Sequence, residues 1–246
     1  MAVAGLLAGT ANTIIGAGSL LSFPTLLAVG YDPLTANVSN TVGLVAGSVS
    51  GTVAQRRELA GQRRRLLFLA PWSAAGGLTG ALLLLALPAE VFGAVVPPLL
   101  ALGSVLVLLQ PVLRTRLAGR GNAEADNGRP GLPLAAGVYL TGVYGGYFGA
   151  AQGVILLGLL GLLLHDSIQR LNATKNLLAA IVNGVAAVAL AIGAAVAWPA
   201  AALLALASVV GGQIGARIAR RIPEGAFRVV VAIVGLAAAA RLQFGA

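Results

Sequence analysis

Charged residues, cysteine and histidine are all scarce in this sequence. Its 246 residues include no cysteine and one histidine, and only 9% are charged, against about 25% in soluble globular domains. The missing cysteines exclude disulfides and thiolate metal sites. Hydrophobic residues make up 58%, more than a soluble chain of this length could cover with polar surface. The composition therefore predicts an all-α integral membrane protein.

The positive charge of the chain fits a membrane protein better than a nucleic-acid-binding protein. The formal net charge is +9, but the arginines stand in short clusters between apolar stretches, as the positive-inside rule expects. Basic and aromatic residues do not interleave as they would in a nucleic-acid groove. The N-terminus lacks a basic segment before its first apolar run, so we expect no cleavable signal peptide.

Six apolar stretches are predicted to be membrane helices. Two of them, Leu34–Ala54 and Asn172–Ile192, are dotted with polar side chains. Lipid would penalise these groups, so they should face other helices or a wet cavity. The remaining four are Leu66–Leu87, Val91–Leu113, Trp198–Ala216 and Ala226–Ala240.

Two further apolar segments, Met1–Gly30 and Leu132–Leu164, are interrupted by glycines near their middle. Glycine costs about 1 kcal/mol in a helix interior relative to alanine, so stacked glycines predict a break. The breaks fall at the elbows Gly16–Ser19 and Gly149–Gly153. Each segment then forms two half-helices of about 14 residues, too short to span a bilayer alone.

The two halves of the sequence resemble each other at an offset of 135 residues. Asn37 falls on Asn172, and the elbow glycines Gly16 and Gly149 align two residues out of that register. The other matched positions are Gly76, Gly77, Gly80, Pro88 and Phe92 with Gly211, Gly212, Gly215, Pro223 and Phe227. We therefore divide the chain into a first membrane repeat at residues 1–113, a cytoplasmic linker at 114–131 and a second repeat at 132–246.

The arginines indicate that the two repeats are inverted. In the first half they follow the second element, whereas the loop at Pro88 has no basic residue. In the second half the loop at Pro223 is the basic one, and Ala191–Ala200 is uncharged. Because basic loops face the cytoplasm, equivalent loops face opposite sides. Two topologies stay open: re-entrant hairpins at the broken segments, which fit the charges better, or one full crossing in each.

The single lysine, Lys175, lies near the start of an apolar helix, where an ionisable residue is a functional hypothesis by default. Asn172, Lys175 and Asn176 share one helix face, and Asn37, Asn40 and Thr41 hold the corresponding places in the other half. A lysine that snorkels to the interface and asparagines that only join helices are the structural alternatives.

The elbows add backbone donors, because the N-terminus of a half-helix attracts anions. We therefore predict a substrate-binding site for an anion at the interface between the repeats. Its residues are Gly16, Gly18, Ser19, Asn37, Asn40, Thr41, Gly149, Gln152, Gly153, Asn172, Lys175 and Asn176. All acidic residues lie in loops or at helix ends, and the one histidine, His165, lies at a turn. We therefore expect no enzyme activity, catalytic residue, metal or cofactor.

These motifs resemble one known family. The run Ile15–Pro24 followed by Ala36–Thr41, and the run Tyr144–Gly149 followed by Asn172–Asn176, are similar to the two repeats of the sulfite exporter TauE/SafE family of membrane permeases. The likeness covers nearly the whole chain. The sequence departs from the family pattern at Ala151 and Gln152, where more glycine is usual, and at Gly158, near which a proline is absent.

The resemblance implies a permease in a bacterial plasma membrane that moves sulfite, an organosulfonate or a carboxylate. The expected partners are that small anion and the lipid bilayer, with self-association left open and nucleic acid excluded. An anion channel is the first alternative, and a non-transporting membrane scaffold or assembly subunit is the second.

Overall fold

The computed structural model describes residues 1–118, 131–218 and 224–245, and its regular structure within these ranges is helical. A short 3-10 helix occupies Arg56–Leu59. The α-helices are α1 (Ala2–Ile14), α2 (Ser19–Ala28), α3 (Pro33–Ala54), α4 (Arg63–Ala86), α5 (Ala89–Ala118), α6 (Leu132–Tyr147), α7 (Gln152–Leu163), α8 (Ile168–Gly193), α9 (Trp198–Ile218) and α10 (Glu224–Phe244).

In the described part of the chain, five helices are long and apolar enough to cross a membrane, namely α4, α5, α8, α9 and α10. This confirms the all-helical membrane class, and each predicted membrane helix is a helix in the structure with ends shifted by a few residues. Helix α3 is 22 residues long and buries a row of polar side chains, including Asn37, Ser39 and Asn40.

The two polar helices, α3 and α8, begin at side-chain caps. The Asp32 carboxylate accepts a hydrogen bond from the Thr35 amide at 2.9 Å, and Pro33 occupies the first helical turn. The Ser167 hydroxyl accepts from the Arg170 amide at 3.4 Å. Such caps satisfy amides that have no partner within the helix, and they fix where α3 and α8 start.

Both broken segments end their first half-helix at a glycine in the left-handed conformation. Gly16 has φ +77° and Gly149 has φ +75°. Each donates its amide five residues back, Gly16 to Ala11 and Gly149 to Tyr144. A left-handed residue after the last helical turn is the usual glycine C-cap. The predicted breaks are therefore present, and Gly16 and Gly149 hold the same conformational position.

The chain reverses direction at each break. In the second segment, Gly137 lies against Leu159 and Gly145 against Gln152, so α6 and α7 form an antiparallel pair. In the first segment, Gly18 lies against the carbonyl oxygen of Ala8, two turns back along α1. The second segment is therefore a helical hairpin, and the first folds back toward α1 at its elbow.

Helices of residues 1–118 pack against helices of residues 131–245. Helix α4 lies along α6 and α8, and α9 lies along α1 and α3. Gly76 contacts Tyr139 and Gly80 contacts Val143, so α4 and α6 run in the same direction. Small residues allow this close approach of backbones in a membrane.

The predicted linker at 114–131 lies mostly outside the described residues, as do Arg220, Arg221 and Pro223 in the second basic loop. Helix α5 continues to Ala118, five residues into the segment assigned to the linker, and α6 begins at Leu132. The structure therefore describes the two helices that flank this segment.

We expect Gly80→Ala to destabilise the protein. A Cβ on Gly80 would overlap the carbonyl oxygen of Val143, which belongs to the α6 backbone and cannot rotate away. Overpacking of this kind costs about 1–3 kcal/mol. The control is Gly93→Ala in α5, where a Cβ meets nothing within 4 Å. The melting temperature in detergent should fall for Gly80→Ala but not for Gly93→Ala. Equal melting temperatures for the two variants would contradict the packing described.

Candidate functional site

The two elbows touch each other. The backbone amide of Gly153 donates a hydrogen bond to the carbonyl oxygen of Gly16 at 3.1 Å. A Cβ on either glycine would overlap the backbone of the other. Glycine is therefore required on both sides, and the predicted elbow residues come together at one place. The Gly153 amide, predicted as an anion donor, is engaged in this contact.

The predicted face of α8 lies against the C-terminal end of α1. The Lys175 ammonium is 3.4 Å from the Asn12 carbonyl oxygen and 3.5 Å from that of Thr13. The side-chain amides of Asn172 and Asn176 each donate to the Thr13 carbonyl at 3.3 Å. The last carbonyls of a helix lack partners within it, and a cation is favourable there. Lys175 is fully buried rather than extended to a surface.

The corresponding face of α3 lies at the second elbow. The Asn37 side-chain amide donates to the Tyr147 carbonyl oxygen, in the last turn of α6, at 3.0 Å. Asn40 donates to the Ser19 hydroxyl at 3.1 Å and also accepts from Ser22. Asn37 and Asn172 therefore do the same thing at the two elbows: each satisfies a carbonyl at the end of a half-helix.

Thr41 differs from its predicted partners. Its hydroxyl donates to the Asn37 carbonyl oxygen one turn back on the same helix, at 3.0 Å. The hydrogen bond is therefore internal to α3 and joins Thr41 to neither elbow.

Three buried side-chain atoms have no hydrogen-bond partner in the described part of the chain: Asn37 Oδ1, Gln152 Nε2 and Asn172 Oδ1. An unpaired buried polar atom costs about 1–3 kcal/mol, so native proteins rarely keep one without a ligand or water. Asn37 is 1% exposed and Gln152 is 3% exposed. All three atoms belong to residues that the sequence predicted for the site.

The second elbow carries local backbone strain. Ala151 adopts φ +59°, the only positive φ of a non-glycine residue in the described ranges, and this conformation costs about 1–2 kcal/mol. A glycine at position 151 would adopt this conformation without strain. The Tyr144 hydroxyl donates to the Ala150 carbonyl and braces the turn. Ala151 in turn precedes Gln152, the first residue of α7.

Sequence reasoning missed a polar group at the crossing of α1, α3 and α8. The side-chain amides of Asn12 and Asn183 both donate to the Ser48 hydroxyl, at 2.9 and 3.1 Å. Gln55 accepts from Asn176 at 2.9 Å. The signal was available, because Ser48 and Asn183 are separated by the same 135 residues as Asn37 and Asn172.

An ion-pair network fixes the loop that precedes α8. Arg65 lies 2.8 Å from the Asp166 carboxylate, and Arg170 lies 2.9 Å from it. Burial alone would raise the pKa of Asp166, but hydrogen bonds from Arg65, Ser167 and Arg170 outweigh it and lower that pKa. Arg65 also donates to Gln62 at 2.8 Å. This network holds the start of α8 one turn before the predicted site.

Comparison with known proteins identifies the family of the chain. The family model "Sulfite exporter TauE/SafE" matches residues 1–242. The chain belongs to this family. It is 28% identical over 242 residues to the "Probable membrane transporter protein YfcA" of Escherichia coli K12, covering 97% of this chain and 87% of that protein. The "Probable membrane transporter protein ORF9" of Sinorhizobium sp is 30% identical, with 98% and 90% covered.

A third relative, a "Probable membrane transporter protein" of Haemophilus influenzae, is 22% identical, with 98% of this chain and 92% of that protein covered. No solved structure matches the chain. TauE/SafE is a family of transporters and not of enzymes. The chain is accordingly a multi-pass membrane protein with bacterial membrane transporters as its relatives.

We expect Arg65→Gln to lower the melting temperature more than Arg64→Gln, whose side chain is exposed, because Arg65 pairs with Asp166. The pair should contribute up to about 1 kcal/mol. Because folding lowers the pKa of Asp166, this stability is present above the ordinary carboxyl pKa of about 4 and is lost as the pH falls below it. The difference between the variants should shrink once Asp166 is protonated, leaving the loss of the Arg65–Gln62 hydrogen bond; a difference that does not change with pH would contradict the assignment.

Proposed function

We propose that the chain is a secondary transporter that moves a small anion, such as sulfite, an organosulfonate or a carboxylate, across the bacterial plasma membrane. Membership of the TauE/SafE family supports transport. One observation supports the site: Asn37 Oδ1, Gln152 Nε2 and Asn172 Oδ1 are buried without a hydrogen-bond partner. Asn37 and Asn172 contact the last turns of α6 and α1, and Gln152 begins α7 beside Gly153. A substrate there would supply the missing hydrogen bonds.

The proposed architecture is an inverted repeat, with residues 1–113 and 132–246 as halves and 114–131 as a cytoplasmic linker. In this arrangement α1–α2 and α6–α7 are re-entrant hairpins from opposite faces, and three helices of each half cross the bilayer. The chain reversals at both elbows support the hairpins, and the uneven arginine clusters support the inversion. Broken helices at the interface of inverted repeats form the substrate site in many secondary transporters.

In the proposed site, Lys175 supplies the positive charge for the anion. Two of its contacts, with the carbonyl oxygens of Asn12 and Thr13, are 3.4 and 3.5 Å long. These distances are long for a charge-assisted hydrogen bond, which is normally about 2.7–2.9 Å. An anion that approaches the ammonium therefore forms the stronger contact. In that case Lys175 exchanges the α1 carbonyls for the substrate.

The other proposed site residues supply hydrogen bonds and backbone shape. Gln152, Asn37 and Asn172 contribute the unpaired atoms, and Asn40, Thr41 and Asn176 support the same faces of α3 and α8. The elbow residues are Gly16, Gly18, Ser19, Gly149 and Gly153, which bring the two backbones together.

A membrane potential that is negative inside favours anion export by about 2.3 kcal/mol per charge per 100 mV.

We expect Lys175→Gln to abolish most anion exchange. Purified protein in proteoliposomes should show saturable counterflow of radiolabelled sulfite. Loss of the ammonium should reduce the rate at least tenfold, since a hydrogen bond to a charged group contributes about 1.5–3 kcal/mol. Arg64→Gln removes an exposed positive charge away from the elbows and should leave the rate unchanged.

Three results would contradict this proposal. Equal rates for Lys175→Gln and wild type would remove Lys175 from the site. Voltage-driven currents far above transporter turnover would favour an anion channel. Absence of flux for every anion tested would favour a membrane protein without a transport role.

Cysteine labelling tests the hairpin topology. Because the sequence has no native cysteine, the introduced cysteine is the one thiol that the reagent can label in each variant. We expect cysteines at Arg120, outside the described residues, and at His165, in the loop before α8, to react from the cytoplasmic side. The control is Ala195→Cys in the exposed loop before α9, which should react from the opposite side. Opposite sidedness of positions 120 and 165 would show that Leu132–Leu164 crosses the membrane.

A further inference from the structure

The amide orientations of Asn37 and Asn172 are fixed by their partners. Each side chain faces a backbone carbonyl, that of Tyr147 for Asn37 and that of Thr13 for Asn172. A carbonyl oxygen only accepts hydrogen bonds, so the NH₂ group must point at it. The oxygen of each side chain is then turned away from the helix end. Both oxygens are buried without a donor.

The site therefore offers hydrogen-bond acceptors as well as donors. Asn37 Oδ1 and Asn172 Oδ1 are acceptors without a donor, and the Gln152 side-chain amide, which can donate through Nε2 or accept through Oε1, has its Nε2 unpaired. A fully deprotonated oxyanion can only accept. Such an anion satisfies Gln152 and Lys175 but leaves the asparagine oxygens unpaired, and their partial negative charge repels it.

We propose that the substrate is a singly charged oxyanion that also carries an O–H donor, such as hydrogen sulfite or a hydroxyalkanesulfonate. Its anionic oxygens accept from Gln152 and Lys175, and its hydroxyl donates to Asn37 or Asn172. A dianion or a sulfonate without a hydroxyl is discriminated against, because a buried acceptor then stays unpaired. This inference rests on the anion-transport function proposed above.

The two asparagine oxygens could instead hold a cation. Carbonyl oxygens at the ends of broken helices coordinate Na⁺ in several transporters. The neutral ligand set and the adjacent Lys175 ammonium, which is fully buried, oppose a second positive charge here. Sodium dependence of transport distinguishes the two occupants.

The test compares two sulfonates of equal charge and nearly equal size, 2-hydroxyethanesulfonate and 1-propanesulfonate, as competitors of labelled-sulfite counterflow in proteoliposomes. In wild-type protein the hydroxyl compound should compete at least tenfold more strongly. The sulfite rate should rise as the pH falls and hydrogen sulfite replaces sulfite. Both measurements use the unmodified chain and do not depend on a variant that folds.

Variants then locate the acceptor. Asn37→Ala and Asn172→Ala should each lower the ratio between competition by the hydroxyl compound and competition by 1-propanesulfonate, whatever the sulfite rate of the variant. Thr25→Ala, in the middle of α2 and outside the proposed site, serves as the control and should keep the preference. Melting temperatures show which variants are folded.

Several outcomes would overturn the inference. Equal competition by the two sulfonates in wild type would do so while leaving anion transport intact. Sodium-dependent exchange without a hydroxyl preference would assign the asparagine oxygens to a cation instead. No exchange of any anion would overturn this inference and the proposed function together.

Discussion

The hydrogen bond from the Gly153 amide to the Gly16 carbonyl, 3.1 Å long, joins two backbones that could not approach if either residue had a side chain. It sets the positions of both half-helix ends, that of α1 near Thr13 and that of α6 near Tyr147. Helices α8 and α3 then pass close enough for Asn172 and Asn37 to reach those carbonyls. The polar faces of two otherwise apolar helices therefore depend on this one glycine contact.

The way in which the asparagines satisfy the helix ends also creates the candidate site. When an asparagine donates a hydrogen bond from its NH₂ group to a carbonyl, its side-chain oxygen is still available to accept one. At both elbows that oxygen is buried without a partner. Lys175 performs the same task with an ammonium. Under the proposed function, the side chains that support the helix ends also recognise the substrate, and the fully buried Lys175 is one of them.

Sequence reasoning reached the helices, the two breaks and the polar faces, because each rests on local composition or on a short periodicity. The spacing of Asn172, Lys175 and Asn176 predicted a shared face correctly, but nothing local could show that this face meets the last turn of α1. The contact between Gly16 and Gly153, and the packing of α4 on α6, are tertiary. The Ser48–Asn183 pair was missed although the 135-residue offset relates the two positions.

The central claim is that the anion binds where the two elbows meet. Selenite, the selenium analogue of sulfite, would report this directly through its anomalous scattering in crystals of the wild-type protein. We expect one anomalous peak at a selenium whose oxygens lie within hydrogen-bond distance of Gln152 and Lys175, with one oxygen beside Asn37 or Asn172. A peak elsewhere in the molecule, with these side chains unchanged, would contradict it.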